Sequence, residues 1–143
     1  MKINFTLSAL FSLLLLSTFA YGQAERTFVK SFNLQSKQTV MINLGENMQI
    51  IPWDSELLRI QMTVKLETTN DATLKAFAET GRYTLKSEIK DDAFVVFAPL
   101  LQNVIKINGS LVKEQIIYVI YVPKGITVLK NGDSNKIVAK INP

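Results

Sequence analysis

Seven apolar residues stand in a row from Ile116 to Val122, and Pro123-Lys124-Gly125 stops them. Residues of this β-branched and aromatic kind favour an extended strand. A strand that is apolar on both sides is expected to be covered on both faces. Proline cannot donate to a ladder, so Pro123 closes the strand, and Gly125 supplies the turn into the next one, ITVLK. A second unbroken run, AFVVFAPL at 93–100, ends in the same way at Pro99. These two segments are the expected centre of the core.

Elsewhere the apolar residues alternate. Leu58, Ile60, Met62, Val64 and Leu66 are separated by Arg59, Gln61, Thr63 and Lys65, the period of a half-buried strand. Shorter versions occur at Phe28-Phe32-Leu34, at Val40-Ile42-Leu44, and at Tyr83-Leu85 with Ile89. Turn-forming clusters lie between them: LQSKQ at 34–38, LGEN at 44–47, PWDSE at 52–56, KDDA at 90–93, NGS at 108–110 and NGD at 131–133. One stretch, NDATLKAFAETGRY, has a helical pattern instead. Asn70 or Asp71 can cap it, Leu74, Phe77 and Ala78 share a face, Lys75 and Glu79 are four apart, and Gly81 can end it. Its narrow apolar face suits packing on a sheet better than contact with a membrane. The expected fold is all-β, mainly antiparallel, with one short α-helix near residues 71–80.

The N-terminus places Lys2 before an apolar run from about Leu7 to Ala20, followed by small residues. That run is shorter than the roughly 20 residues that cross a bilayer. Residues 1–22 therefore read as a secretory signal peptide cut after Gly22, with a cut after Ala24 as the alternative, and residues 23–143 as a single β-rich domain. The expected location is exported, periplasmic or secreted. The chain has no cysteine, so this domain relies on burial alone, without disulfides. Of 16 basic and 12 acidic residues the leader holds only Lys2, which leaves a small positive excess. Lys124, Lys130, Lys136 and Lys140 suit a solvated strand face, and Arg26, Arg59 and Arg82 are too dispersed for a nucleic-acid surface.

With neither histidine nor cysteine present, the usual zinc sites, Ser-His-Asp and Cys-His nucleophiles, and haem or iron–sulfur ligation have no ligands to use. Asp91-Asp92 is the only adjacent acidic pair, and its setting reads as a turn rather than as a glycosidase pair. NGDSN at 131–135 lacks the spacing of a calcium loop, and no glycine-rich loop precedes a helix to cradle phosphate. Asn108-Gly109-Ser110 fits a glycosylation sequon but also a hairpin turn. Trp53, the one tryptophan, suits either recognition of a sugar or protein, or an anchor that tucks its turn against the core. The aromatic and aliphatic residues at 116–121 could line a lipid cavity in a closed barrel, though a packed core accounts for them more simply. No catalytic, cofactor-binding or metal-ligating residue is assigned, and neither enzymatic activity nor a cofactor is expected.

The blocks ENMQIIPWDSELLRIQMTVKLE, YTLKSEIKDDAFVVFAPL and IIYVIYVPKGITV together resemble the toast-rack, or putative auto-transporter adhesin head-like, family of exported bacterial β domains. The resemblance covers about residues 38–130. It implies a β-helix-like or stacked-sheet fold, placement in the cell envelope, and no catalytic residues. Longer relatives continue past the Pro-Lys-Gly turn with many short strands, whereas here only NGDSNKIVAKINP remains before the end of the sequence, so a compact relative is expected. The expected function is a non-enzymatic binding or structural module that meets another envelope protein, a glycan or its own copies. The alternative is a carrier that holds a lipid or other apolar ligand between its strands.

Overall fold

The computed structural model describes residues 23–67, 69–130 and 137–142. The expected leader, residues 1–22, and the expected NGD turn therefore lie outside the described residues. Among the described residues the fold is all-β with one short helix, and five of the eight strand pairings are antiparallel. Its elements are β1 (Ala24–Asn33), β2 (Thr39–Asn43), β3 (Met48–Trp53), β4 (Leu57–Leu66), α1 (Asp71–Glu79), β5 (Lys86–Lys90), β6 (Ala93–Phe97), β7 (Lys106–Ile107), β8 (Ser110–Leu111), β9 (Glu114–Pro123), β10 (Thr127–Lys130) and β11 (Ile137–Lys140). A first sheet has the order β1-β4-β9-β3 and a second the order β11-β10-β2-β6-β5, while β7 and β8 form a separate hairpin.

The chain changes sheet repeatedly, and this explains the mixture of directions. Passages β2→β3 and β6→β9 both cross from the second sheet to the first. Their strands then pair in parallel on each side, β2 with β6 and β3 with β9, and β10 adds a further parallel neighbour to β2. These crossings are the stacked-coil element of the fold. Simple reversals supply three of the antiparallel pairs, β5 with β6, β7 with β8 and β10 with β11, while β1 with β4 and β4 with β9 join strands distant in the chain. Asp91-Asp92 and Asn108-Gly109 each form a two-residue turn with both residues at positive φ, the geometry that matches strand twist in a hairpin.

The alternating strand of the sequence becomes β4, with Leu58, Ile60, Met62, Val64 and Leu66 buried and Arg59, Gln61, Thr63 and Lys65 on the other face. Its inner side chains join those of β1, β2, β6, β9 and β10 in one core. Phe32 of β1 meets Phe94 of β6 edge to face at 5.9 Å, so the two sheets touch directly. Helix α1 starts where Asn70 Oδ1 accepts the Thr73 N–H at 3.0 Å. It buries Leu74 and is tied to β1 by the Arg26–Asp71 ion pair.

Two expectations change. Strand β6 is buried along both faces, as a fully apolar run suggests, but β9 is covered on one face only. Tyr118, Ile120 and Val122 are buried while Ile117 is 47% exposed and Val119 and Tyr121 are half-buried. Strand β9 sits between two neighbours in its sheet, but no second layer lies over its outer face among the described residues. The second change concerns Tyr83, Leu85 and Ile89. Tyr83 and Leu85 are buried before β5 begins, and Ile89 lies within it, exposed on an edge strand whose five residues all face solvent.

The Pro-Lys-Gly stop is a corner between sheets. Gly125 has φ +83° with open space where a Cβ would stand, so backbone strain alone opposes a side chain there. Gly125→Ala is expected to lower stability by about 1 kcal/mol, read as a reduced urea midpoint with an unchanged slope. A neutral result would show that the corner does not require the left-handed conformation.

Candidate functional site

Three turns converge at the end of β9. Trp53 and Pro123 are register partners at the end of the β3/β9 ladder, and beyond them Lys124 Nζ pairs with Asp54 at 2.6 Å. The Trp-Asp turn and the Pro-Lys-Gly corner are thus side by side. Trp53 Nε1 donates to the Leu57 carbonyl at 2.9 Å, and Ser55 Oγ accepts the Leu57 N–H at 3.3 Å, which folds the 53–57 turn back on itself.

Trp53 does not enter the core; it lies half-buried on the outer face of the first sheet. Its ring sits 5.4 Å from that of Tyr121, tilted by 44°. Arg59, the register partner of Tyr121 on β4, places its guanidinium 5.9 Å from the Tyr121 ring centre, within cation–π range. The Arg59 Nε–H is enclosed and has no acceptor, so ring contact rather than hydrogen bonding describes its placement. Ile51 is the other register neighbour of Tyr121. The outcome is an aromatic and aliphatic surface on a rigid, fully paired part of the sheet.

A cleft of about 740 Å³ adjoins this surface. Asn33, Lys37 and Gln38 from the first turn, Glu56 and Leu57 from the second, and Ile126 beyond the corner are among its walls. Leu57 belongs to both features, since its carbonyl holds Trp53 while the residue lines the cleft. Lys37 also pairs with Asp92, one of the two adjacent acids of the β5–β6 turn. Asp91 and Asp92 are both exposed, so they do not form a facing pair across a cleft.

A second polar cluster, at the opposite end of β9, lies inside the protein. Arg82 Nε donates to Glu114 Oε1 at 2.9 Å, a second guanidinium nitrogen reaches Oε2, and Tyr83 Oη donates to Oε1 at 2.7 Å. The Arg82 and Glu114 side chains are 7% and 11% exposed. Burial alone pushes the Glu114 carboxyl up, but the hydrogen bonds from Arg82 and Tyr83 and the Arg82 charge outweigh it and hold the group below its ordinary value. Its hydrogen bond to Glu114 raises Arg82, while burial, with the adjacent carboxylate, raises Tyr83. Burial also pushes the Tyr118 hydroxyl up to about 12, helped by the Glu114 charge. Arg82 further donates to the carbonyls of Leu100 and Asn103 at 2.9 and 3.0 Å. All of its strong donors are directed at protein acceptors, which marks the cluster as a brace between the end of α1, the 100–103 turn and β9.

In the sequence Trp53 and the Pro-Lys-Gly turn are separate features; the β3/β9 register brings them together. Sequence reasoning missed the Arg82–Glu114–Tyr83 cluster, in which Glu114 stands 32 and 31 positions from its two partners. The one available signal was a lone acid, Glu114, opening an otherwise apolar strand. Of the four C-terminal lysines, Lys124 pairs with Asp54 and Lys130 with Glu46, while Lys136 is outside the described residues. Among the described residues no three Asp or Glu side chains gather as a metal ion would require. No protein-family model matches this chain, nor does any curated protein or solved structure.

Proposed function

We propose that the protein is a non-enzymatic exported β domain that serves as a binding or structural module of the bacterial cell envelope, and that it meets its partner through the Trp53–Tyr121–Arg59 surface. One observation carries the reading: the only tryptophan is spent on the outside of a sheet whose inside is already filled. Rigid aromatic side chains with a neighbouring arginine are the residue types that anchor interfaces. The partner is another envelope protein, a glycan or a second copy, in keeping with the resemblance to adhesin-head domains.

Two of the four sheet edges are poorly suited to the role. Strand β3 carries Pro52, which has no N–H to offer, and β5 exposes Lys86, Glu88 and Lys90, both of which discourage the addition of another strand. The carrier reading has less support, because Ile60, Met62, Ile120 and Val122, where a ligand between the sheets would lie, are completely enclosed by neighbouring side chains. Strand β1 begins at Ala24, buried opposite Leu66; a leader removed after Gly22 would leave that strand whole.

Photo-crosslinking from position 51 in intact producing cells tests the reading. A defined adduct should form, and Trp53→Ala with Tyr121→Ala should reduce its yield by about tenfold or more without loss of the fold. Equal capture by the double variant would remove the aromatic surface from consideration. Recovery of a stoichiometric apolar molecule with the purified protein would favour the carrier instead.

A further inference from the structure

The hairpin of β7 and β8 pairs with neither sheet. It is apolar where a solvated hairpin is normally polar. Val104 is 75% exposed, Leu111 58% and Ile107 37%, and Leu100, in the turn that leads into the hairpin, is 40% exposed. Isolated aliphatic residues on a surface are ordinary, but a concentration in one short segment is a mark of contact with something else.

Within this segment the charge has one sign. From Ala93 to Lys113 the chain carries Lys106 and Lys113 and no Asp or Glu. Register places Lys106 opposite Leu111, so the cation and the exposed leucine project from the same side of the hairpin. Lys113 approaches Glu67 only at 3.9 Å and stays largely in solvent. The base of the hairpin is fixed by the Arg82 donors to Leu100 and Asn103 and by the Val112 N–H to the Ile105 carbonyl at 3.0 Å. Its exposed side chains are therefore held in place before any contact is made.

We infer that this hairpin docks the protein on an anionic lipid surface. Leu111 and Val104 enter the boundary between headgroups and acyl chains, while Lys106, on the Leu111 side, and Lys113 meet acidic headgroups. Aliphatic side chains interleaved with lysine and free of carboxylates have the character of segments that settle at a charged membrane interface. A second copy of the chain fits less well. Four side chains exposed to between 37% and 75% fall short of the roughly 800 Å² per partner of a stable interface, and two such hairpins would bring lysines together without an acid between them. The inference does not rest on the Trp53 surface. That surface lies at the far end of the ten-residue β9, roughly 30 Å away along the strand, and remains free when the hairpin is docked.

Flotation of the protein purified from its producing cells tests this, with vesicles of phosphatidylethanolamine and phosphatidylglycerol set against vesicles of phosphatidylcholine alone. The protein is expected to float with the anionic vesicles and to be released by salt. Val104→Ser with Leu111→Ser should weaken partitioning about tenfold or more, and Lys106→Glu about tenfold, with the thermal midpoint kept because all three side chains are in solvent. Failure to float, equal binding to phosphatidylcholine, or unchanged binding by the double variant would each overturn the inference. So would a dimer that forms with rising concentration, is abolished by the double variant and leaves the vesicles unbound.

Discussion

Glu114→Ala is expected to destabilise the fold by about 3–5 kcal/mol, the usual consequence of leaving one partner of a buried ion pair without its counter-charge. Arg82 would keep its two carbonyl acceptors but lose the carboxylate, and the Tyr83 hydroxyl would lose its acceptor. Urea unfolding measures the effect directly. A companion variant, Arg82→Met with Glu114→Leu, should recover most of the loss, since apolar residues of similar volume often replace a buried pair at little cost. A loss below about 1 kcal/mol for Glu114→Ala would place the pair in the class of surface ion pairs.

The same pair gives acid stability a definite sign. The folded Glu114 pKa lies below its ordinary value of 4.5, so between the folded and unfolded values the unfolded chain binds the additional proton. The contribution is complete above the ordinary value and is lost as pH falls through the folded one. The urea midpoint should decline over that acidic range in the wild type and decline less in the companion variant. Tyr118 acts at the other end. Its stabilising effect is present below pH 10 and is lost as pH rises towards about 12.

Ile120→Ala is expected to cost about 2–5 kcal/mol. Ile120 is wholly buried on β9, with Ile60 as its register partner on β4 and Ile50 on β3, so the cavity would open at the centre of the first sheet. Ile117→Ala, three positions earlier on the same strand, supplies the contrast. That side chain is 47% exposed, and its removal should shift stability by less than about 1 kcal/mol. Comparable losses at both positions would mean that the outer face of β9 is covered after all.

Much of this architecture is legible in the residues. The period of two from Leu58 to Leu66 reports burial directly, because successive strand side chains point to opposite sides. Asn70, Gly81, Pro123 and Gly125 mark their boundaries through backbone chemistry that is local. Seven apolar residues in a row gave the strand but not its coverage, since Ile117 and Tyr121 can be apolar for the sake of a surface as well as of a core. Strand order was out of reach, because pairing β2 with β10 joins positions almost ninety residues apart. Separation along the chain also hides the Arg82–Glu114 contact, 32 positions apart, and the meeting of Trp53 with Pro123, 70 apart. Each is a product of topology, and no local pattern encodes it.

The position of β9 and β10 has a further consequence for how the molecule comes into being. These late segments occupy interior places in both sheets, so a growing chain that ends before Glu114 lacks the strand that joins β3 to β4, and one that ends before Thr127 leaves β2 at the open edge of the second sheet. Assembly of both sheets must await β9 and β10. Pairings between such distant segments also make folding slow, so the earlier strands wait with their ladder edges open until the later ones have been made.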